Sequence, residues 1–193
     1  ASYGLAINKL PDGAYLEINA GVVTLESYDN PNPYSNDYFW VQAPDRSYGI
    51  RVRSYGYAFE GNLVYVAGIL TTTPAGDREL IVLDGGITAY GYPISPPLGM
   101  SQKQLVSGLI PNNLLIKVWG KVVQGHIYPE PVEGQPVSYF YIDDGSGLET
   151  DTPGLTGLKI YDPFLILNPP VNADETISFT GVMGHELTPE GKI

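Results

Sequence analysis

One β-rich pattern occurs twice in this chain, and the repeat constrains the fold more than any other feature. The first copy opens with Ala20-Gly21-Val22-Val23-Thr24-Leu25 and the second with Val118-Trp119-Gly120-Lys121-Val122-Val123. A glycine interrupts each run, as happens where a barrel strand bends sharply. Each copy then passes through an irregular stretch, residues 29–37 with Pro31 and Pro33, and residues 124–137 with Pro129, Pro131 and Pro136. Proline cannot donate to a strand ladder, so neither stretch reads as a central strand. An aromatic strand follows in both, Tyr38-Phe39-Trp40-Val41-Gln42 and Ser138-Tyr139-Phe140-Tyr141-Ile142-Asp143. Next come Gly49-Ile50-Arg51-Val52-Arg53 and Gly157-Leu158-Lys159-Ile160-Tyr161, which alternate with the period of a half-buried strand. The fourth runs, residues 62–70 and 175–184, each carry a late glycine, Gly68 and Gly181. A fifth run, Glu79-Leu80-Ile81-Val82-Leu83, is present in the first copy alone.

Strand order, spacing and bent strands predict an all-β chain of two tandem OB-like five-stranded Greek-key barrels. The second lacks its own last strand, because the sequence reaches the turn at residues 187–191 and stops at Lys192-Ile193. The expected division is an N-terminal extended segment over 1–10, a first barrel over 11–89, a proline-rich connector over 90–113 and a second barrel over 114–193. A short helical turn is expected around Ser101 to Val106.

Composition narrows the function. The chain has 23 glycines, 17 prolines and 15 tyrosines, which suit strands and turns, and it has no cysteine. Disulfides, thiolate zinc sites and thiol nucleophiles are thereby excluded. A net charge of −11 with only 10 Lys and Arg opposes binding of a phosphate backbone by charge. No apolar run is long enough to span a membrane as a helix. The start at Ala1 fits a mature N-terminus left by signal cleavage.

Four motifs carry a resemblance. Leu10-Pro11-Asp12-Gly13, Pro97-Leu98-Gly99-Met100, Val118-Trp119-Gly120-Lys121-Val122 and Tyr141-Ile142-Asp143-Asp144-Gly145-Ser146-Gly147 together resemble tandem OB-fold modules of secreted bacterial proteins, whose fold is that of OB-type nucleic-acid-binding domains. The resemblance covers nearly the whole chain. It implies the fold and an extracellular or cell-surface location, and it is almost silent on function, since OB folds host many.

Signs of chemistry are sparse. Histidine occurs only at His126 and His185, both read as solvent-exposed loop residues, and no Ser/His/Asp arrangement follows from spacing. Carboxylates are scattered through turns, so no glycosidase pair stands out. An enzyme is the least favoured class, and no cofactor is expected. The oxygen-rich stretch from Asp143 to Asp151 makes Asp143, Asp144 and Asp151 a calcium candidate, although its spacing is not that of an EF-hand and Asp and Gly also simply make turns.

The outward strand faces are more informative. If Phe39, Val41, Ile50 and Val52 point inward, then Tyr38, Trp40, Arg51 and Arg53 share the outer face. Tyr139, Tyr141, Lys159 and Tyr161 do the same in the second copy. Such a face can stack a base or a sugar, or it can meet another protein. The acidic balance favours protein, disfavours nucleic acid and leaves a glycan open.

The expected function is an extracellular structural protein that self-assembles head-to-tail into a filament or surface polymer. A barrel without its fifth strand leaves unpaired backbone groups, an edge that natural proteins seldom leave open. The N-terminal segment, with Ser2, Tyr3, Leu5 and Ile7, would enter the second barrel of the next copy beside Ile193, a head-to-tail contact by strand addition. The alternative is an OB-fold binding module for a glycan or single-stranded nucleic acid.

Overall fold

The structure, a computed structural model, describes residues 7–26, 37–54, 58–107, 113–127, 138–150, 152–161 and 171–184. The chain divides into two compact units. One comprises Ala1–Leu98, Pro111–Ile116 and Gly181–Ile193, the other Gly99–Ile110 and Lys117–Thr180.

The first unit contains a closed barrel of β1 (Tyr15–Glu26), β2 (Asp37–Gln42), β3 (Gly49–Ser54), β4 (Leu63–Thr72) and β5 (Arg78–Ala89). The order around it is β1-β2-β3-β5-β4, with β3 and β5 parallel and the other pairs antiparallel. That is the five-stranded Greek-key barrel of OB type. Period-2 alternation sends Phe39, Val41, Ile50, Val52, Val64, Val66, Leu70 and Leu80 into one buried core, as the sequence predicts for the first four. Gly21 marks the bend in β1. The register slips between Ile18 and Gly21, and a Cβ at Gly21 would collide with the Val41 side chain. Closure is bought at that position by the absence of a side chain.

The remaining strands are β6 (Leu98–Gly99), β7 (Leu115–Ile127), β8 (Tyr139–Asp143), β9 (Leu158–Tyr161) and β10 (Thr176–Val182). They form a sheet ordered β10-β7-β8-β9, with β6 paired to β7, and among the described residues this sheet is not closed. The expected second barrel is therefore an open sheet here. The expected helical turn is α1 (Gln102–Val106), begun by a capping box in which Ser101 and Gln104 satisfy each other's backbone N–H groups. No helix among the described residues is long and apolar enough to cross a membrane.

The sequence repeat is a structural repeat down to single hydrogen bonds. In β2/β3, Tyr38 faces Arg53, Phe39 faces Val52 and Trp40 faces Arg51. In β8/β9, Tyr139 faces Tyr161, Phe140 faces Ile160 and Tyr141 faces Lys159. The register along β1/β2 slips between Val23 and Leu25, and along β7/β8 between Val122 and Gln124. Val23 N–H donates to the Asn62 carbonyl at 2.9 Å, and the Val23 carbonyl accepts from Gly61 N–H at 3.0 Å. Val122 N–H donates to the Glu175 carbonyl at 2.7 Å, and the Val122 carbonyl accepts from Asp174 N–H at 2.8 Å. Gly61 and Asp174 both lie in the left-handed region, at φ of 77° and 73°. Glycine adopts that conformation freely, whereas Asp174 holds it at a small steric cost.

Candidate functional site

In the closed barrel, β2 and β3 present Tyr38, Trp40, Arg51 and Arg53 on one outer face, as the alternation predicts. Tyr38 and Trp40 meet edge to face at 6.1 Å between centroids, and the Arg51 guanidinium lies 4.9 Å from the Tyr38 centroid. The organiser of this face is Glu79 on β5, which the sequence reading placed in a strand without assigning it a role. Arg51 Nε donates to Glu79 Oε2 at 2.7 Å, and Arg53 Nε lies 3.0 Å from Glu79 Oε1. The Glu79 side chain is only 2% exposed, whereas Arg51 and Arg53 are 20% and 43% exposed. A carboxylate that buried needs paired donors, and the parallel β3/β5 register supplies them by setting Arg51 opposite Glu79. The signal in the sequence is that Glu79 heads the apolar run Leu80-Ile81-Val82-Leu83. With one carboxylate between two guanidiniums, the positive charge of the face is partly neutralised.

The equivalent face of the open sheet is built differently. Lys159 Nζ sits 4.3 Å from the Tyr139 centroid and 5.0 Å from that of Tyr161. Tyr139 also meets Tyr141 edge to face at 5.8 Å. Tyr161 is exposed, whereas Tyr141, on the same strand face as Tyr139 and opposite Lys159, is covered, at 2% exposure. Packing against neighbouring elements, rather than strand alternation, decides its burial.

The calcium candidates have structural tasks. Asp143 Oδ1 accepts from Gly145 N–H at 2.9 Å and its Oδ2 from the Thr156 hydroxyl at 3.0 Å. Asp144 Oδ1 accepts from Ser146 N–H at 3.0 Å and its Oδ2 from Gln102 N–H, at the start of α1, at 2.9 Å. Burial works to raise the Asp144 pKa, but the hydrogen bonds from Gln102 and Ser146 prevail and hold it below the ordinary carboxylate value. Gln102, wholly buried, donates to the Ile142 carbonyl at 2.7 Å. Gln102, at the start of α1, is thus latched to the end of β8 and the Asp143-Asp144-Gly145-Ser146 turn. Asp151 lies outside the described residues, and no group of three or more potential ligands gathers among the described ones.

His126 is not a loop residue. It lies in β7, its Nδ1 accepts from Val171 N–H at 2.9 Å, and its ring is 5.0 Å from that of Phe140. His185, Ser2, Tyr3, Leu5 and Ile193 lie outside the described residues. Ile7, placed in the subunit contact by the sequence reading, is 5% exposed and packs in the core of its own chain's closed barrel. An apolar residue that close to a barrel end finds its burial locally.

The last feature is an edge. In the closed barrel β5 stands between β3 and β4. The counterparts of those two strands are β9 and β10, and no described strand stands between them. The inward residues reflect this. Val64 and Val66 on β4 are 2% and 3% exposed, whereas their β10 counterparts Ile177 and Phe179 are partly exposed.

No protein-family model matches the sequence, and no curated protein matches it. Among solved structures, the chain is similar to part of a replication protein A heterotrimer bound to single-stranded DNA. The identity is 12%, covering 71% of this chain and 37% of that one, with a TM-score of 0.29. So low a score carries no argument, and the OB-type assignment rests on the closed barrel's own strand order.

Proposed function

We propose that this chain is an extracellular structural protein that assembles head-to-tail by strand complementation, without catalysis. The observation that supports it is that no described strand stands between β9 and β10, with Ile177 and Phe179 on β10 partly exposed. A strand added there would pair two edges at once and cover that apolar surface. In this reading the donor is residues 1–6 of the next copy, with Ile7 as the anchor from which the donor leaves its own barrel. Each copy then gives one strand and receives one, which yields an open polymer when the rotation does not close. The extracellular setting rests on the resemblance to secreted modules.

The test is negative-stain microscopy and sizing of the intact chain beside one lacking residues 1–6, and beside Leu5→Asp. Long polymers are expected from the intact chain and folded monomers from both variants. Equal assembly of all three overturns the proposal. A second reading, a binding module, is favoured by one observation, the preordered Tyr38–Trp40–Arg51 face. On that reading Trp40→Ala abolishes a saturable response to an added glycan or single-stranded nucleic acid and leaves the fold intact.

A further inference from the structure

The interior of the closed barrel is not filled along its whole length. Against β4 and β5 lies a cavity of about 320 Å³, walled by Phe39, Val64, Val66, Val82 and Ile87. Phe39, Val64 and Val66 are buried core residues, whereas Val82 and Ile87 are partly buried. The space has a cause in the strand register. Val66 faces Gly85 and Val64 faces Ile87 across β4 and β5, and cross-strand partners share a face. Residue 85 therefore lines the cavity without a side chain. A Cβ there would come within 2.8 Å of the Tyr65 carbonyl oxygen and 3.2 Å of Val66 Cγ1. The close approach of the two strands thus excludes the side chain that would have filled the barrel at this level. The same region is open to solvent. The β3/β5 ladder runs from Arg51 and Glu79 to Arg53 and Ile81. Beyond Ile81, β5 runs beside β4 alone among the described residues, and Tyr90, which also lines the cavity, is 78% exposed.

The lining selects a chemistry. No residue that lines the cavity is charged, and the hydroxyls of Ser54 and Tyr90 are its polar side-chain groups. A charge moved into such a place without a partner costs far more than a neutral group does. Sites for small ligands share this make-up, mostly apolar with a few polar groups, and they occur in the mouths of β-barrels. An apolar cavity of about 150 Å³ holds one benzene ring. The cavity behind Gly85, at about 320 Å³, has room for two fused rings.

We infer that the closed barrel binds a small uncharged apolar molecule, of the size of two fused rings, in the cavity behind Gly85. The site does not depend on the strand exchange proposed above. Equilibrium dialysis of the full chain against naphthol tests it, with naphthalenesulfonate as a charged probe on the same rings. Saturable uptake of one naphthol per chain is expected, with the sulfonate bound at least tenfold more weakly. Val82→Trp and Ile87→Trp, which fill the cavity from two positions, should each weaken naphthol binding at least tenfold. Val82→Ile adds a single methylene at a partly buried position, keeps the fold, and should weaken binding severalfold. Phe179→Ser, on the open sheet, should leave binding unchanged. Absence of saturable uptake overturns the inference, as does equal binding of the sulfonate. Undiminished binding by Val82→Ile, or by a Trp variant whose circular dichroism shows it folded, overturns it as well. So does loss of binding in Phe179→Ser, which would move the probe to the open sheet.

Discussion

The closed barrel and the open sheet share registers, bulges and a hydrogen-bond pair, yet they differ where β5 is concerned. In the barrel, β5 delivers Leu80 to the core, fully buried, and Glu79 to the outer face between two arginines. In the open sheet, the residue in the place of Arg51 is Lys159, which lies over tyrosine rings. One strand thus fixes both the interior and the exterior of an OB-type barrel. Four strands define the register, and the fifth decides whether the inward residues are sealed from water.

The largest expected effect tests that sealing. Leu80→Ala should cost about 3 kcal/mol, within the range for fully buried leucines. Val66→Ala should cost about 2–3 kcal/mol, since its methyl groups are buried and leave a cavity. Phe179→Ala, at the position equivalent to Val66, should cost less than Val66→Ala in the unassembled chain, because part of its surface is already in water. Urea unfolding followed separately at Trp40 and Trp119, the chain's two tryptophans, measures all three. A cost for Phe179→Ala as large as that of a fully buried phenylalanine would mean that the open sheet is sealed.

The outer faces give the next contrast. Glu79→Gln removes a carboxylate from two charge-assisted pairs and should cost about 2 kcal/mol, held down because both guanidiniums can reach water. Lys159→Met loses a cation–π contact near the surface, worth about 0.5–1 kcal/mol. Thermal unfolding of the two variants should rank them in that order, and the reverse order would remove Glu79 as the organiser of its face.

Acid should act on both units through depressed carboxylates. Asp12 is held low by the Thr72 hydroxyl and, against desolvation, by Arg78, and Asp174 is held low by Lys121. Asp144 is held low by its hydrogen bonds to the α1 start. A carboxyl with a depressed folded pKa contributes stability that is complete above the unfolded value, about 3.9. That stability is lost as pH falls through the lower folded value. Melting temperature should therefore drop steeply below about pH 4. Asp144→Asn should lower it at neutral pH and flatten the acid limb. An unchanged acid limb in Asp144→Asn would show that the latch does not depend on the charge.

The smallest effect is spectroscopic. Burial, with help from Asp45, pushes the Tyr48 phenol up to about 12. A raised phenol pKa keeps the proton in the folded state, so stability falls as pH rises from about 10 towards that value. Absorbance titration of the folded chain should show a late tyrosine that Tyr48→Phe removes.

Much of this was legible in the sequence. Alternation in β2 and β3 sorted Phe39, Val41, Ile50 and Val52 from Tyr38, Trp40, Arg51 and Arg53 correctly, because a strand's two faces follow from its period alone. The same rule put Tyr141 on the face of Tyr139 but did not give its burial, since alternation names a face and not what lies against it. It also could not give Glu79 its partners, because the β3/β5 pairing joins residues 28 apart in the chain through a parallel register.

The sequence by itself determined the repeat, the bent strand at Gly21, the α1 turn and the all-β class. These are local matters of period, glycine and capping. Tertiary structure alone decided that Ile7 belongs to its own barrel's core, that Asp143 and Asp144 brace turns and the start of α1, and that, among the described residues, one sheet closes and the other does not. Closure depends on which strand fills the place between two edges. That choice is made by long-range hydrogen bonds and the burial of apolar surface, which no local pattern encodes.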